Sequence, residues 1–205
     1  MKNFIEVGKT EEEQAEQIKK WIKGNALQII AGVALGFSGI WGFDYYDNQQ
    51  YKKAIQARTH YLSVAFNPSN IKDLNTLNEQ YADSPYTQQA TLVAAKQAAN
   101  KGDYQGALDY LLPLVNSKDE FTMHTVKLRI ANLHLEMGNA DQALSILNNN
   151  TNKEFSALYN HIKGDAYFAK NDLPAAKKHY QLASRKLSYK SELKNLIEIK
   201  LNDIN

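Results

Sequence analysis

Hydrophobic positions follow two different patterns along this chain, and the first is an uncharged run. Residues 24–43 read GNALQIIAGVALGFSGIWGF, without Asp, Glu, Lys or Arg. Because a helix rises about 1.5 Å per residue, this run covers about 30 Å, the thickness of the hydrocarbon core of a bilayer. Lys23 and Asp44 bound it, and Trp21 and Trp41 mark its ends, as in the aromatic belts of membrane helices. The pattern therefore predicts one transmembrane helix over residues 24–43.

A buried core helix and a cleaved signal peptide are the alternatives to a membrane span. The run is too long and too sharply bounded for an ordinary core helix. A signal peptide has a short basic start and a small-x-small cleavage site after its apolar segment. Here residues 1–23 carry five Glu and five Lys, and Asp44 and Tyr45 follow the run. The sequence favours an uncleaved signal anchor with a charged tail over residues 1–23.

The orientation of the span depends on Lys and Arg alone. Residues 9–23 contain four such side chains and residues 44–58 contain three, so the count barely separates the two sides. Lys19, Lys20 and Lys23 lie closest to the span, which favours a cytoplasmic tail and a domain of residues 44–205 outside the cytoplasm. A domain that faces the cytoplasm stays open as the alternative.

Glycine recurs at helical spacing inside the span. Gly32 and Gly36 form a G-x-x-x-G pattern, and Gly39 follows three residues later. This spacing places bare backbone on one side of a helix, where another membrane helix can approach closely. The pattern predicts a helix–helix contact, with a second copy or another membrane protein as partner. The alternative is that glycine is simply frequent in membrane helices.

The second pattern begins after Asp44, where apolar residues recur every three or four positions and indicate helices. Nothing interrupts this spacing before Phe66, so the membrane helix is expected to continue outward until Pro68 ends it. Residues 71–81 predict the next helix. Ser84, with proline directly after it, then predicts a helix N-cap.

Three helix–turn–helix copies follow. In each, a helix ends at a Gly or Asn able to take the left-handed conformation, and an Asp or Asn follows that can cap the next helix. These pairs are Gly102-Asp103, Gly138-Asn139 and Asn171-Asp172. An alanine stands four residues after each cap, with spacings of 36 and 33 between the alanines. A period of about 34 resembles the tetratricopeptide repeat and predicts an all-α chain, with one N-terminal transmembrane helix before a tetratricopeptide-repeat-like α-solenoid.

The spacing of small and aromatic residues that is typical of the repeat is clearest in the third copy. Small residues let two helices approach, and large residues fill the gap to the next pair. In the first two copies Ala98 and His134 replace one aromatic residue, and Leu111 and Leu147 replace the other. The candidate packing residues of the three copies are Ala95, Ala107, Ala131, Ala143, Gly164, Tyr167, Ala176, Tyr180 and Ala183.

The end of the chain predicts one more amphipathic helix. One side of it is lined by Leu193, Leu196, Ile197, Lys200, Leu201 and Ile204. A solenoid needs a terminal helix that covers its last apolar surface. We favour this capping role over that of a separate docking helix.

Composition narrows the chemistry that the domain can carry. The 205 residues contain no cysteine, which excludes disulfides, thiol catalysis and Cys-ligated metals. A net charge of +2 is too balanced for nucleic-acid binding through phosphate neutralisation. No H-E-x-x-H or phosphate-binding glycine loop is present, and His134 falls on a packing position where a core role is favoured over a metal role. The sequence predicts no enzyme, no cofactor, no metal site and no nucleic-acid partner.

Tyrosines are the best candidates for protein contact, because tyrosine offers a large contact area with few torsions to restrict. The chain has twelve of them. Tyr86, Tyr104, Tyr110 and Tyr159 are candidates to face the concave surface of the repeats. Ordinary packing between helices is the alternative for each.

The whole layout resembles the YfgM family of Gram-negative bacteria. The similarity is carried by AGVALGFSGIWGFDYYDNQQ from Ala31, GDAYFAKNDLPAAKKHY from Gly164 and LIEIKLNDI from Leu196. The resemblance implies a single-pass type II protein of the bacterial inner membrane, with its repeats in the periplasm. It implies association with the SecYEG translocon and with a PpiD-like periplasmic chaperone.

The role implied by the resemblance is the transfer of newly exported polypeptides to periplasmic chaperones, without enzymatic activity. Two alternatives remain on the sequence alone. One is a membrane-anchored scaffold for another envelope complex, and the other is an adaptor that faces the cytoplasm.

Overall fold

The computed structural model describes residues 10–148 and 152–204. Over these residues the chain forms α-helices and one short 3₁₀ turn, without any strand. The all-α class predicted from the sequence is confirmed. The chain divides into two compact units, Met1–Ile55 and Gln56–Asn205.

The first unit contains helix α1, Glu11–Gly24, and the apolar part of helix α2, Ala26–Phe66. Asn25 separates the two helices, with φ −115° and ψ 14°. Its side-chain amide donates to the carbonyl oxygen of Trp21 at 2.8 Å, and its backbone N–H donates to the same oxygen at 3.0 Å. These bonds satisfy a terminal carbonyl of α1 and end it as a separate helix.

Helix α2 runs for 41 residues without a break, as the uninterrupted apolar spacing predicts. No residue of its apolar N-terminal part is buried in the structure. An exposed apolar surface of this extent is unfavourable in water but suits the interior of a bilayer. By its length and composition, α2 is a helix that can cross a membrane.

The second unit begins with the last turns of α2 and continues as helix pairs. Its further helices are α3 (Ile71–Gln80), α4 (Pro85–Asn100), α5 (Tyr104–Leu111), α6 (Glu120–Glu136), α7 (Ala140–Ile146), α8 (Ser156–Ala169), α9 (Leu173–Ser184) and α10 (Glu192–Asp203). The three pairs are α4–α5, α6–α7 and α8–α9. The two helices of each pair pack together, and the second helix of a pair packs against the first helix of the next. This order is that of a solenoid, in which each repeat contacts its neighbours.

The turns within the pairs have the left-handed backbone that the sequence predicts. Gly102 has φ 78°, Gly138 has φ 76°, and Asn171 has φ 60°. Glycine adopts this conformation freely, and asparagine tolerates it better than most residues do. Each of these turns reverses the chain between the two helices of one repeat.

In two of the three turns, the Asp that follows the left-handed residue caps the next helix with its side chain. The Asp103 carboxylate accepts from the backbone N–H of Gly106 at 2.9 Å, and the Asp172 carboxylate accepts from that of Ala175 at 3.1 Å. Asn139 stands at the N-cap position of α7 as predicted, but its side chain makes no capping bond. Helix α7 is the shortest α-helix of the described chain.

Buried apolar clusters lie between successive helices through the whole second unit. In the last cluster Ile197 of α10, which is fully buried, packs with Ala176, Tyr180 and Ala183 of α9. Helix α10 therefore covers the end of the solenoid. Leu196 does not share this face as its spacing suggested, because its side chain is 44% exposed.

Candidate protein-interaction surface

The candidate packing residues lie between the helices of each pair. Those that are buried are Ala95, Ala107, Ala131, Ala143, Gly164, Ala176, Tyr180 and Ala183, whereas Tyr167 is half-buried. The Tyr167 ring stacks on His179, with centroids 5.2 Å apart. These positions shape the surface by setting how closely the helices approach.

In each pair a small residue of the first helix packs with a larger residue of the second helix, a relation that we call the size match. Ala95 shares a core cluster with Leu111, and Ala131 shares one with Leu147, in each case sixteen residues later. In the third pair the corresponding residues are Gly164 and Tyr180. A Cβ at Gly164 would overlap the Tyr180 ring. The larger ring of Tyr180 is therefore accommodated because Gly164 has no side chain.

The residues that directly follow these small positions point away from the core. They are Lys96 on α4, Asn132 on α6 and Asp165 on α8. Lys96 and Asn132 are exposed, whereas Asp165 is half-buried. They mark the side of the first helices on which a partner can be contacted.

Between α4 and α6 this side forms a groove of about 540 Å³. Small and aliphatic side chains form its floor, and polar side chains form its rim. The lining residues are Ala95, Lys96, Ala99, Asn100, Tyr104, Leu111, Arg129, Asn132, Leu133 and Glu136. An apolar floor with a polar rim is the usual arrangement of a protein-binding surface.

The rim charges of the groove are available to a partner. Lys96, Arg129 and Glu136 are exposed, and within the described chain they make no ion pair or side-chain hydrogen bond. Two cations and one anion leave the rim with a net positive charge. A bound segment would gain from carboxylates or backbone carbonyls at its edges and from an apolar side chain at its centre.

The equivalent surface of the third pair is covered by α10. Lys200 donates to Asp165 at 2.5 Å, and the Tyr180 hydroxyl donates to the same carboxylate oxygen at 2.6 Å. The Lys200 ammonium also lies 5.6 Å from the centre of the Tyr180 ring. Burial is the main cause of the raised pKa of Tyr180, and the bonded carboxylate adds to it. The phenol therefore stays a donor at every physiological pH.

His161 completes this polar cluster beside Asp165. Its Nε2 lies 3.4 Å from the carboxylate. Burial lowers the pKa of His161 most strongly, Asp165 opposes the shift, and Lys200 adds to it. Neutral imidazole is therefore favoured in the folded chain, so Lys200 is the main cation that neutralises Asp165.

The tyrosine candidates occupy different environments. Tyr86, Tyr104 and Tyr110 are half-buried and pack against core clusters, and Tyr104 also lines the groove. Tyr159 is buried, so the suggestion that it faces the concave surface is wrong. Its hydroxyl lies 2.9 Å from Nδ1 of His124, and burial raises the pKa of Tyr159 to about 12.

His134 lies on α6 with its Nδ1 buried and without a hydrogen-bond partner in the described chain. Burial lowers the pKa of this imidazole, which favours the neutral form. Over the described residues no three His, Asp or Glu side chains are grouped closely enough to hold a metal ion.

The glycines of the span lie on one face of α2. At about 100° per residue, Gly32, Gly36 and Gly39 fall within a sector of about 60°. A Cβ built at any of the three would meet no other atom within 4 Å. This face is thus open to a second helix.

The size match predicts a large penalty for Gly164→Ala. Alanine normally stabilises a helix relative to glycine, but here the new methyl group overlaps Tyr180, and overpacking costs about 1–3 kcal/mol. Urea unfolding of the full chain in detergent, followed by circular dichroism, measures the change in the free energy of unfolding.

A double-mutant cycle separates overlap from other causes. Tyr180→Leu recreates the alanine–leucine pairing of the first two copies, so the double variant should lose less stability than the sum of the single variants. Additive losses would show that Gly164 and Tyr180 are not coupled.

Comparison with known proteins assigns the chain to a family. A family model described as a tetratricopeptide repeat-like domain matches residues 19–205. The ancillary SecYEG translocon subunit of Haemophilus influenzae is 30% identical over 95% of this chain and 97% of its own. Proteins of the same name from Aggregatibacter actinomycetemcomitans and Escherichia coli are 28% and 25% identical, and the match covers 95% and 98% of this chain and 97% and 99% of theirs.

No solved structure matches the chain. The matches to the family model and to the named relatives extend over the span and the repeats together. Their names describe an accessory subunit, a non-catalytic role that agrees with the sequence analysis. The chain belongs to the tetratricopeptide repeat-like family that includes the ancillary SecYEG translocon subunits.

Proposed function

We propose that this protein is a membrane-anchored, non-enzymatic accessory subunit of the SecYEG translocon. The observation that carries the proposal is the similarity to proteins of that name over nearly the whole chain. The protein from Haemophilus influenzae, for example, is 30% identical over 95% of this chain. Helix α2 supports it by supplying an apolar surface that suits a bilayer. The α4–α6 groove supports it by offering a surface for protein contact.

In this proposal residues 1–23 lie in the cytoplasm, residues 24–43 cross the inner membrane, and residues 44–205 lie in the periplasm. Lys19, Lys20 and Lys23 support the orientation, because lysine next to a span favours the cytoplasmic side. The start of α2 at Ala26 supports a span that begins at or just after Gly24.

The groove would receive extended segments of exported polypeptides or of a PpiD-like chaperone. Its apolar floor suits a hydrophobic side chain, and Lys96 and Arg129 suit carboxylates or carbonyls on either side. The link to a chaperone rests on the resemblance to the YfgM family. Contact with the groove would transfer a polypeptide from the translocon to the chaperone without any covalent step.

The open glycine face of α2 would contact a helix of the translocon. Gly32, Gly36 and Gly39 let two backbones approach, so that van der Waals packing holds the helices together in lipid. This lateral contact would keep the repeats beside the exit of the channel.

Topology is tested with single cysteines, because the chain has none of its own. Thr10→Cys and Asn202→Cys place thiols at exposed sites near the two ends of the described chain. With the outer membrane permeabilised, a membrane-impermeant maleimide should label Asn202→Cys, and should label Thr10→Cys only after the inner membrane is disrupted. The reverse pattern would favour an adaptor that faces the cytoplasm.

Lateral contact is tested by Gly36→Leu, which fills the open face of α2. Affinity purification of the full chain in mild detergent should recover SecYEG subunits, and Gly36→Leu should reduce the yield several-fold. Ala34→Leu is the matched control, since residue 34 lies on the opposite side of the helix at about 100° per residue. Recovery of a different envelope complex by the unsubstituted chain would support the scaffold alternative instead.

The groove is tested by photocrosslinking from a single cysteine that carries benzophenone maleimide. Asn132→Cys places the probe in the groove, and Gln142→Cys places it on the exposed side of α7 in the same repeat. In inner-membrane vesicles during export, adducts with exported chains or a periplasmic chaperone are expected from Asn132→Cys alone. Equal adducts from both sites would contradict a role for the groove.

A further inference from the structure

Helix α1 has an apolar side that the described part of the chain leaves exposed. Ile18, Trp21 and Ile22 are 40%, 45% and 47% exposed, and no residue of α1 is buried. At about 100° per residue these side chains fall within a sector of about 100°, which makes the helix amphipathic. An apolar side that stays exposed in this way marks a site of contact with a membrane or another protein.

The charges of α1 are separated along its axis. Glu11, Glu12 and Glu13 form the first turn, and Lys23 lies in the last turn. Residues 17–24 contain three lysines and no carboxylate. The basic half is therefore the half that lies next to α2, the helix with the membrane span.

Lysines and apolar side chains occupy different sides of this basic half. At about 100° per residue, Lys20 and Lys23 project about 150° away from the centre of the apolar side, and Lys19 about 110° away. A helix of this kind lies in a membrane interface, with its apolar side toward the acyl chains and its lysines among anionic headgroups.

Asn25 allows α1 to take its own direction from the span. Its ψ of 14° is far from the helical value, and its side chain closes the end of α1 through the Trp21 carbonyl. A terminal carbonyl bonded in this way does not need water, so this end can enter the headgroup region.

We propose that residues 17–24 of α1 bind the surface of an anionic phospholipid leaflet, with Ile18, Trp21 and Ile22 at the acyl boundary and Lys19, Lys20 and Lys23 on lipid phosphates. The acidic first half of α1 stays in water, because an anionic surface repels its carboxylates. The inference rests on the membrane span of the proposed function, but it does not require contact with the translocon.

Trp21 reports on this binding once Trp41→Phe makes it the single tryptophan of the full chain. In nanodiscs that contain 30% phosphatidylglycerol, acrylamide should quench Trp21 at least two-fold less than in nanodiscs of phosphatidylcholine alone. The variant with Lys19→Gln, Lys20→Gln and Lys23→Gln should lose this difference. The matched variant with Glu11→Gln, Glu12→Gln and Glu13→Gln should retain it.

Nitroxide labels distinguish a helix on the surface from one that projects into water. In anionic nanodiscs a label on Ile18→Cys should lie deeper than one on Glu16→Cys, as measured by collision with oxygen and with a nickel chelate. Replacing Glu16 removes a carboxylate that the anionic surface repels, which by itself would bring the label at residue 16 closer to the membrane. A deeper label at residue 18 therefore cannot result from that loss of charge. Equal depths at the two sites would overturn the proposal.

Two further outcomes would also overturn it. Shielding of Trp21 that does not depend on phosphatidylglycerol would remove the role of anionic lipid. Shielding that disappears when each nanodisc holds one chain would assign the apolar side to contact between copies. Failure of the chain to enter nanodiscs would instead refute the membrane span of the proposed function, and co-elution with the discs separates that result from these.

Discussion

The distance between the two helices of a repeat is the constraint on which the second unit depends. It is set by one small residue and by the larger residue sixteen positions later, as with Ala131 and Leu147. Protein interiors are packed to a density of about 0.74, so a gain in volume on one side requires a loss on the other. The change to Gly164 and Tyr180 in the third pair keeps this balance and gives that pair a polar hydroxyl.

That hydroxyl changes the surface of the third pair. Tyr180 and Lys200 both donate to Asp165, which fixes α10 across the side that the first two pairs leave open. Because half-buried charges that are paired resist separation, this end of the solenoid is a cap rather than a binding surface. The groove between α4 and α6 stays uncovered by comparison, and in the proposed function it receives an extended partner.

Local chemistry made much of the fold predictable from sequence. The turns were predictable from Gly102, Gly138 and Asn171, because few other residues adopt the left-handed backbone conformation found there. The apolar part of α2 was predictable from the uncharged run. The polar cluster around Asp165 was not predictable, because Tyr180 and Lys200 reach Asp165 from two other helices, 15 and 35 residues along the chain. The burial of Tyr159 was missed for the same reason, since its partner His124 lies 35 residues away.

Anchoring explains why a shallow groove can serve the proposed function. A surface tethered near its partner sees it at an effective concentration of about 1 mM, so a binding free energy of about 4 kcal/mol already gives half occupancy. One apolar contact on the groove floor and one or two rim interactions with Lys96 or Arg129 are of that order. Weak contact also lets a polypeptide leave quickly, which a protein that transfers chains requires. In the proposed function, the membrane span therefore supplies proximity to the partner, and the groove supplies only a weak contact.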